Sequence, residues 1–510
     1  MKREILISAM AGETRVAILE DDVLVELMVD RPDNERIVGD IYMGTVQAVL
    51  PGIQAAFVDI GTDKAAFLHV SDVAPEEDED DENGGGGGGG NRRNRNLPPI
   101  QEMIQKGEKR LIQITKEPIS TKGSRCTTHI SLPGRFLVYM PGSNHVGVSR
   151  KIDDREERSR LRALAKEILP KDAGGLIIRT VGEELTREKF ERELNTLRDT
   201  WKKIEKKSKG GRAPQLIHSE AKLTGGIIRD VFTDRVDSLT IDSPEVYAEV
   251  KKYLEGVDPD LLERVHLHSE PAPLFDEYGV EDAVREAFQR RVDLPSGGYI
   301  IIEPTEALVS VDVNTGRYTG KKDPEKTILK TNLDAAKEVA RQLRLRDIGG
   351  IVVVDFIDME TKANQDRLLQ ELRTHLGRDR ARTRAFQVSE LGLVEMTRQR
   401  VRPSLYQSLT EPCWYCGGSG RVFRPDTVVR RVERALRRAS AEKSDRELVV
   451  RVHPQVALHI LEAEPDFMRR HAKSLGIDVE LRDDPLMKQD EFKLLSGRAE
   501  TDVTARYGLG

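Results

Sequence analysis

The sequence predicts a multidomain α/β protein that carries a small barrel of short strands. Three observations lead there. The chain has 510 residues, room for about three to five domains. Residues 39–70 read GDIYMGTVQAVLPGIQAAFVDIGTDKAAFLHV, short strands punctuated by Gly and Pro, the rhythm of a closed or nearly closed barrel. From residue 222 onward short strands alternate with helices, and long apolar strands flank a helical segment at Asp323–Leu345, the rhythm of an α/β domain.

Composition narrows the class. The chain holds 81 Lys+Arg against 87 Asp+Glu, a net charge of −6, so any nucleic-acid contact must come from local basic patches. No window approaches the ~18 uncharged apolar residues of a membrane helix. The opening MKREILISAM lacks a secretory h-region, and only three cysteines are present. A reducing, cytoplasmic location is expected.

Taken in order, residues 1–35 read as a β-hairpin, with Glu4 to Ser8 and Arg15 to Glu20 alternating around Gly12-Glu13-Thr14. Residues 71–99 interrupt the barrel with seven acids from Glu76 to Glu82, seven glycines from Gly84 to Gly90, and then Arg92, Arg93 and Arg95. Such a run cannot bury apolar area and reads as a disordered inserted loop, or else as an acidic partner site. Strands resume at Lys109 to Lys116. Residues 153–208 are helix-rich around a strand at 174–182, and Phe190, Leu194, Leu197 and Trp201 form a core-facing stripe. The GGSG after Cys416 reads as a boundary, and residues 445–485 as a small α+β module ending in a polar tail.

The chemistry concentrates in two matching segments, ALVSVDVNTG at 307–316 and GIVVVDFIDM at 350–359. Each apolar strand delivers an aspartate, Asp312 or Asp355, at or near its carboxyl end, where open α/β sheets gather ligands. On neighbouring strands these carboxylates converge, and a hard divalent cation, Mg²⁺ or Mn²⁺, relieves their repulsion. Asn314 faces the same side as Asp312 and could meet a phosphate oxygen. The bland reading is that each aspartate caps a turn; the repetition weighs against it. Cys413 and Cys416 form one C-x-x-C pair, half of a tetrahedral zinc site. On spacing alone it is a linker knuckle sharing zinc between chains, or a redox pair. Cys126 reads as a buried strand thiol.

With those residues in view, SVDVNTG, TNLDAAKEVARQLRLRDIGGIVVVDFIDM, LGLVEMTRQRVRPSL and CWYC closely resemble the ribonuclease E/G family of bacterial endoribonucleases. The resemblance runs from residue 4 to about 485, the 71–99 insert excepted, and is most specific over Thr331–Met359 and Leu391–Leu405. It implies an RNase H-like subdomain in two parts (1–38 and 215–279) interrupted by an S1, OB-type barrel (39–130). A 5′-sensor region (131–214), a DNase I-like catalytic subdomain (280–405), a zinc link (406–420) and a small α+β domain (421–510) complete it. The chain ends at Gly510 without a long scaffold, which favours the shorter, ribonuclease G-like form.

The resemblance also implies roles. Asp312 and Asp355 hold Mg²⁺ and Asn314 positions the scissile phosphate, so that single-stranded RNA is hydrolysed to 5′-phosphate and 3′-hydroxyl ends. Phe57, Phe67 and Lys122 face RNA on the barrel. Arg179 and Thr180 match a 5′-monophosphate pocket, with Gly134 and Val138 as backbone contributors and Arg382 in support. Cys413 and Cys416 share a zinc with a second protomer in a homodimer, possibly a homotetramer. Here the family's proline after the first cysteine is replaced by Trp414.

Two arginine runs, Arg398/Arg400/Arg402 and Arg430/Arg431/Arg434/Arg437/Arg438, read equally as phosphate-tracking or as solvated faces. A different class, a non-catalytic S1-type RNA-binding scaffold, is disfavoured because Asp312, Asn314 and Asp355 are all kept. A DNA nuclease is disfavoured by the S1-like barrel.

Overall fold

Strands β1 (Arg3–Met10), β2 (Glu13–Glu20) and β3 (Val23–Asp30) open the chain as a meander. The expected hairpin is thus three strands. VLVELMVD is buried along five consecutive positions, so it shows no alternation to read, and Asp21 and Asp22 turn the chain into it at positive φ. The computed structural model describes residues 1–31, 37–74, 97–117, 123–149, 152, 154–170, 173–183, 185–210, 212–220, 223–316, 324–442 and 444–508. They fall into two compact units, Met1–Ser408 and Leu409–Gly510.

The barrel follows from β4 (Ile41–Leu50), β5 (Ala55–Asp59), β6 (Ala66–His69), a short α1 (Ile100–Met103), β7 (Lys109–Lys116) and β8 (Arg125–Thr127). Its strand order β4-β5-β6-β8-β7 closes on itself through β4–β7 pairing, giving an OB-like barrel. Ala56, Val58, Leu68, Ile112, Ile114 and Cys126 fill the interior. Cys126 is the expected buried thiol, and burial pushes its pKa up to about 12. The acidic and glycine run of the insert lies outside the described residues.

Next come β9 (Leu132–Pro133), β10 (Leu137–Met140), β11 (Val146–Val148), α2 (Arg155–Ile168), β12 (Gly175–Ile178) and α3 (Arg187–Gly210). The four strands form a separate sheet in the order β11-β12-β10-β9. α3 covers its core with the expected stripe: Phe190, Leu194 and Leu197 are buried and Trp201 packs beside them. Then β13 (Gln215–His218) adds to the barrel beside β4. Helix α4 (Leu223–Asp230), β14 (Ser238–Ile241), α5 (Pro244–Val257) and β15 (Val265–Leu267) return to the first sheet, ordered β15-β14-β1-β2-β3. α5 starts cleanly because Ser243 accepts from Val246 N–H and Pro244 occupies the first turn.

After α6 (Leu274–Glu277) and α7 (Val280–Ala287), the largest α/β layer begins. It comprises β16 (Arg291–Asp293), β17 (Tyr299–Pro304), β18 (Leu308–Asn314), α8 (Pro324–Leu345), β19 (Gly350–Asp355), α9 (Lys362–Leu376), β20 (Thr383–Val388) and β21 (Leu393–Arg398), with α10 (Leu405–Leu409) closing the run. The sheet order is β16-β17-β18-β19-β21-β20. Val311, Val313, Val352 and Val354 bury one face against Ala335, Val339, Leu368 and Leu372 of α8 and α9. Alternation sends the intervening residues to the opposite, solvent-facing side. Each Val buried there contributes roughly 1.5–3 kcal/mol, which pins the register that exposes the site.

A buried charge network joins this layer to the first sheet. Arg344 of α8 donates to Glu20 (3.0 Å) and Glu26 (3.0 Å), and Arg380 also pairs with Glu26. Arg398, only 5 % exposed, bonds Asp347 (2.8 Å) and Asp379 (2.6 Å), and Arg402 pairs with Asp347. These two arginines are therefore structural rather than phosphate-tracking. Leaving either acid unpaired in that setting would cost several kcal/mol, about 3–5 for a buried pair.

The second unit contains α11 (Pro425–Glu442), β22 (Glu447–Val452), α12 (Pro454–Ala463), α13 (Phe467–Leu475), β23 (Asp478–Asp483), β24 (Phe492–Ser496), β25 (Thr501–Asp502) and α14 (Thr504–Tyr507). The expected polar tail is instead structural. β24 pairs with β22 in the order β23-β22-β24-β25, and Leu494 and Tyr507 are buried. On α11, Arg430 and Arg437 pair with Glu433, Arg431 donates to Asp490 O and Arg438 to Tyr507 O. Most of that arginine run serves its own unit.

Candidate functional site

β18 and β19 are parallel neighbours, and their register sets Asp312 opposite Asp355. Adjacent strands lie about 4.8 Å apart, so two carboxylates face solvent side by side at the strand ends. Both residues are exposed. Like charges so placed repel, and nothing in the apolar layer beneath can relieve them. Asn314, expected toward a phosphate, here donates from Nδ2 to Asp312 Oδ2 at 2.7 Å. Its amide thus fixes one carboxylate rotamer.

Asn332, fully buried on α8, holds the segment after Asp355 by a reciprocal pair: its Nδ2 donates to Ile357 O (2.8 Å) and Ile357 N donates to its Oδ1 (3.1 Å). Sequence reasoning missed it. The available signal was an amide on the apolar face of an otherwise regular helix. Gly298 and Gly316 shape the other side of the site: a Cβ on Gly298 would lie 2.5 Å from Asn314 O, and one on Gly316 2.4 Å from Gly297 O. Only glycine permits that approach, and Gly316 also holds φ +63°.

On the barrel, Phe57 and Phe67 are a cross-strand pair on β5 and β6, with ring centroids 5.9 Å apart. Their neighbours Ala56, Val58, Ala66 and Leu68 point inward, so both rings face out, half-buried. His69 continues the row, stacked 6.5 Å from Phe67. Sequence reasoning passed over it. Lys122 lies outside the described residues.

Arg179, Gly134 and Val138 come together where β12 meets β10. Val138 is opposite Ile177, and Arg179 N donates to Phe136 O at 2.7 Å. The Arg179 guanidinium donates from Nη1 to Gly134 O (2.8 Å) and Asp230 Oδ1 (2.6 Å). Among the described residues that leaves Nη2 and Nε without a hydrogen-bond partner, a fork able to take an anion. Thr180 follows, exposed, at the start of a 3₁₀ turn. Burial opposes the charge on Asp230, but hydrogen bonds from Arg229 and Arg179 hold its carboxyl below the usual range. Glu193 of α3 accepts from the N–H groups of Arg135 (2.5 Å), Phe136 (2.9 Å) and Leu137 (3.0 Å), and burial raises its pKa despite them. A Cβ on Gly134 would sit 2.7 Å from Glu193 Oε1, so the tight loop requires glycine. Asp230 and Glu193 carry no local motif and were missed. Arg382 precedes β20 in the other sheet, exposed, and no described hydrogen bond or ion pair joins it to Arg179.

In the second unit Cys413 and Cys416 flank a tight knuckle. Gly417, Gly418 and Gly420 all hold positive φ, so the GGSG run turns the chain around Cys416 rather than marking the boundary, which falls after Ser408. The Gly420 N–H donates to Cys416 Sγ at 3.3 Å, which lowers that thiol's pKa. Among the described residues no group of three or more His, Cys, Asp or Glu side chains could hold a metal. Trp414 is 72 % exposed.

An OB-like barrel with outward aromatics, and an α/β sheet bearing paired carboxylates at its strand ends, define a multidomain α/β enzyme architecture suited to nucleic acid. The chain belongs to the ribonuclease E/G family: the family's profile matches residues 131–401, more than half of the chain. It is 39 % identical over 494 residues to ribonuclease G of Haemophilus influenzae, covering 96 % of this chain and 99 % of that one. Against ribonuclease G of Escherichia coli K12 the identity is 37 % over 496 residues, 97 % of this chain and all of the other. Ribonuclease E of Nostoc is 41 % identical over 414 residues, 80 % of this chain but 57 % of that longer protein. The protein is an enzyme of the ribonuclease E/G type. Among the described residues no helix is long and apolar enough to cross a membrane.

Proposed function

We propose that this protein is a Mg²⁺-dependent endoribonuclease that cleaves single-stranded RNA, in rRNA and tRNA maturation and mRNA decay, leaving 5′-phosphate and 3′-hydroxyl ends. The observation that carries the reading is the register pairing of Asp312 with Asp355 on an exposed sheet face. Two hard oxygen donors with open solvent around them fit Mg²⁺, which keeps several positions for water and phosphate. When bound, the ion neutralises charge on the phosphoryl group and promotes attack by water. Asn314 holds Asp312 in place and orients the scissile phosphate. Phe57 and Phe67 stack bases on the barrel, each stacked base contributing ~1–3 kcal/mol, and Lys122 meets the backbone there.

Arg179, with Thr180, Gly134, Val138 and Arg382, forms the 5′-monophosphate pocket in this reading. The pocket belongs to a 5′-sensor region; the first sheet is the RNase H-like part, the barrel an S1 module, and the large α/β layer the DNase I-like catalytic part. The test is cleavage of a 5′-monophosphorylated single-stranded RNA. Internal cuts should appear with Mg²⁺, vanish with EDTA and return on adding Mg²⁺. RNA binding without cleavage in Mg²⁺ would favour an RNA-binding scaffold instead.

The knuckle fits zinc as well. Two thiols, one of them favoured as thiolate by a backbone N–H, supply half a tetrahedron, so two protomers complete one structural site. The double variant Cys413→Ser, Cys416→Ser should lose zinc and shift to a smaller species by light scattering. The wild type should contain about half a zinc per chain. One full zinc per chain, with mass unchanged on substitution, would exclude sharing.

A further inference from the structure

The open face of the large sheet extends past the paired aspartates to the edge strand β16. In cross-strand register, Arg291, Ile301, Asp312 and Asp355 form one row across β16, β17, β18 and β19. The neighbouring row holds Asp293, Tyr299 and Asn314. Residues in register share a face, so Arg291, Asp293 and Tyr299 stand on the same surface as the paired aspartates. Tyr299 is directly opposite Asn314, and the Arg291 backbone is two strands, about 10 Å, from Asp312.

The side chains there are organised. The Arg291 guanidinium carbon lies over the Tyr299 ring, 4.0 Å from its centroid. Arg291 Nε (2.9 Å) and Nη2 (2.8 Å) both donate to Asp293 Oδ1. One face of the guanidinium rests on the tyrosine, and a carboxylate holds its orientation. The Arg291 side chain is 58 % exposed and β16 is an edge strand, so the other face is open to solvent. An exposed ion pair contributes little to stability, so the fold does not need this one. Its charge is also balanced by Asp293, which makes it a poor phosphate clamp. A flat, oriented, charge-balanced guanidinium backed by an aromatic ring suits the face of an unpaired nucleobase instead.

We propose that Arg291, braced by Asp293 and Tyr299, is a base-stacking platform for a nucleotide of the RNA close to the scissile phosphate. The platform rests on the reading of Asp312 and Asp355 as the reaction centre. It adds a base-reading element at the cut itself, separate from the barrel aromatics.

The experiment walks a single abasic nucleotide through a 5′-hydroxyl RNA on either side of the cleavage site, comparing the full-length wild type with Arg291→Ala. In the wild type, one abasic position should lower kcat/KM by roughly five- to a hundredfold. Arg291→Ala should already show that loss with the intact RNA and lose nothing more at that position, while remaining sensitive elsewhere. Arg291→Lys keeps the charge without the plane and should behave as Arg291→Ala. Tyr299→Leu, which removes the backing ring, gives an independent variant should Arg291→Ala fold poorly. Arg384, which lies over Phe386 at 4.9 Å on the opposite edge strand and off the Asp312 row, is the control and should show no such coupling.

Identical abasic profiles in wild type and Arg291→Ala, or full rescue by lysine, would overturn the platform. Asp312→Asn is assayed in parallel. If it still cleaves, the reaction-centre reading fails and the platform with it; if it is inactive while no coupling is seen, the platform alone fails.

Discussion

Asp312→Asn and Asp355→Asn should each slow RNA cleavage in Mg²⁺ by on the order of a hundred- to a thousandfold or more, the scale seen when one electrostatic partner of a transition state is removed. Asparagine keeps the shape and an acceptor for the Asn314 amide, which donates to Asp312 at 2.7 Å, so the local geometry is retained. Both aspartates are exposed and the apolar layer beneath them is untouched, so thermal stability should change little. RNA affinity should also hold, because the barrel aromatics lie on other strands. The measurement is single-turnover cleavage beside equilibrium binding of the same RNA. Near wild-type cleavage by either variant in Mg²⁺ would show that the pair is not the metal site.

Arg179→Ala should separate RNAs by their 5′ ends. A terminal monophosphate makes charge-assisted hydrogen bonds that a 5′-hydroxyl cannot, each contributing roughly 1.5–3 kcal/mol. Cleavage of the monophosphorylated RNA should therefore slow by roughly ten- to a hundredfold. The same RNA with a 5′-hydroxyl, or a circular form, should respond far less. Nη1 of Arg179 is already committed to Gly134 and Asp230, so any end contact should fall to its Nε and Nη2 edge. Equal slowing on all RNAs would make Arg179 an ordinary backbone contact, since loss of one positive charge weakens every RNA alike.

The two sites differ in how far the sequence alone reveals them. Asp312 and Asp355 sit at the ends of apolar, β-branched strands, a local pattern that can be read without neighbours. The stripe on α3 and the buried Cys126 were legible for the same reason: burial follows a period of 3.6 or 2 along the chain. Where burial has no period, the reading failed. VLVELMVD became the third strand of a meander, and the polar stretch after residue 485 contributed β24 and the buried Tyr507.

The sequence by itself determined the apolar strands at 307–316 and 350–359, the helix between them, the aspartates those strands present and the cysteine knuckle. All of these depend on residues within one turn or strand of each other. The tertiary structure alone decided which charges are available. Arg398 and Arg402 read equally as phosphate-tracking or as a solvated face, but they are paired with Asp347 and Asp379. Asp230 and Glu193, silent in the sequence, hold Arg179 and the Gly134 loop. Arg291 becomes a flat, oriented surface only because β16 and β17 pair in the register that lays it on Tyr299. A charge is free or spent according to partners that lie tens or hundreds of residues away, and only the packed chain brings those partners within a hydrogen bond.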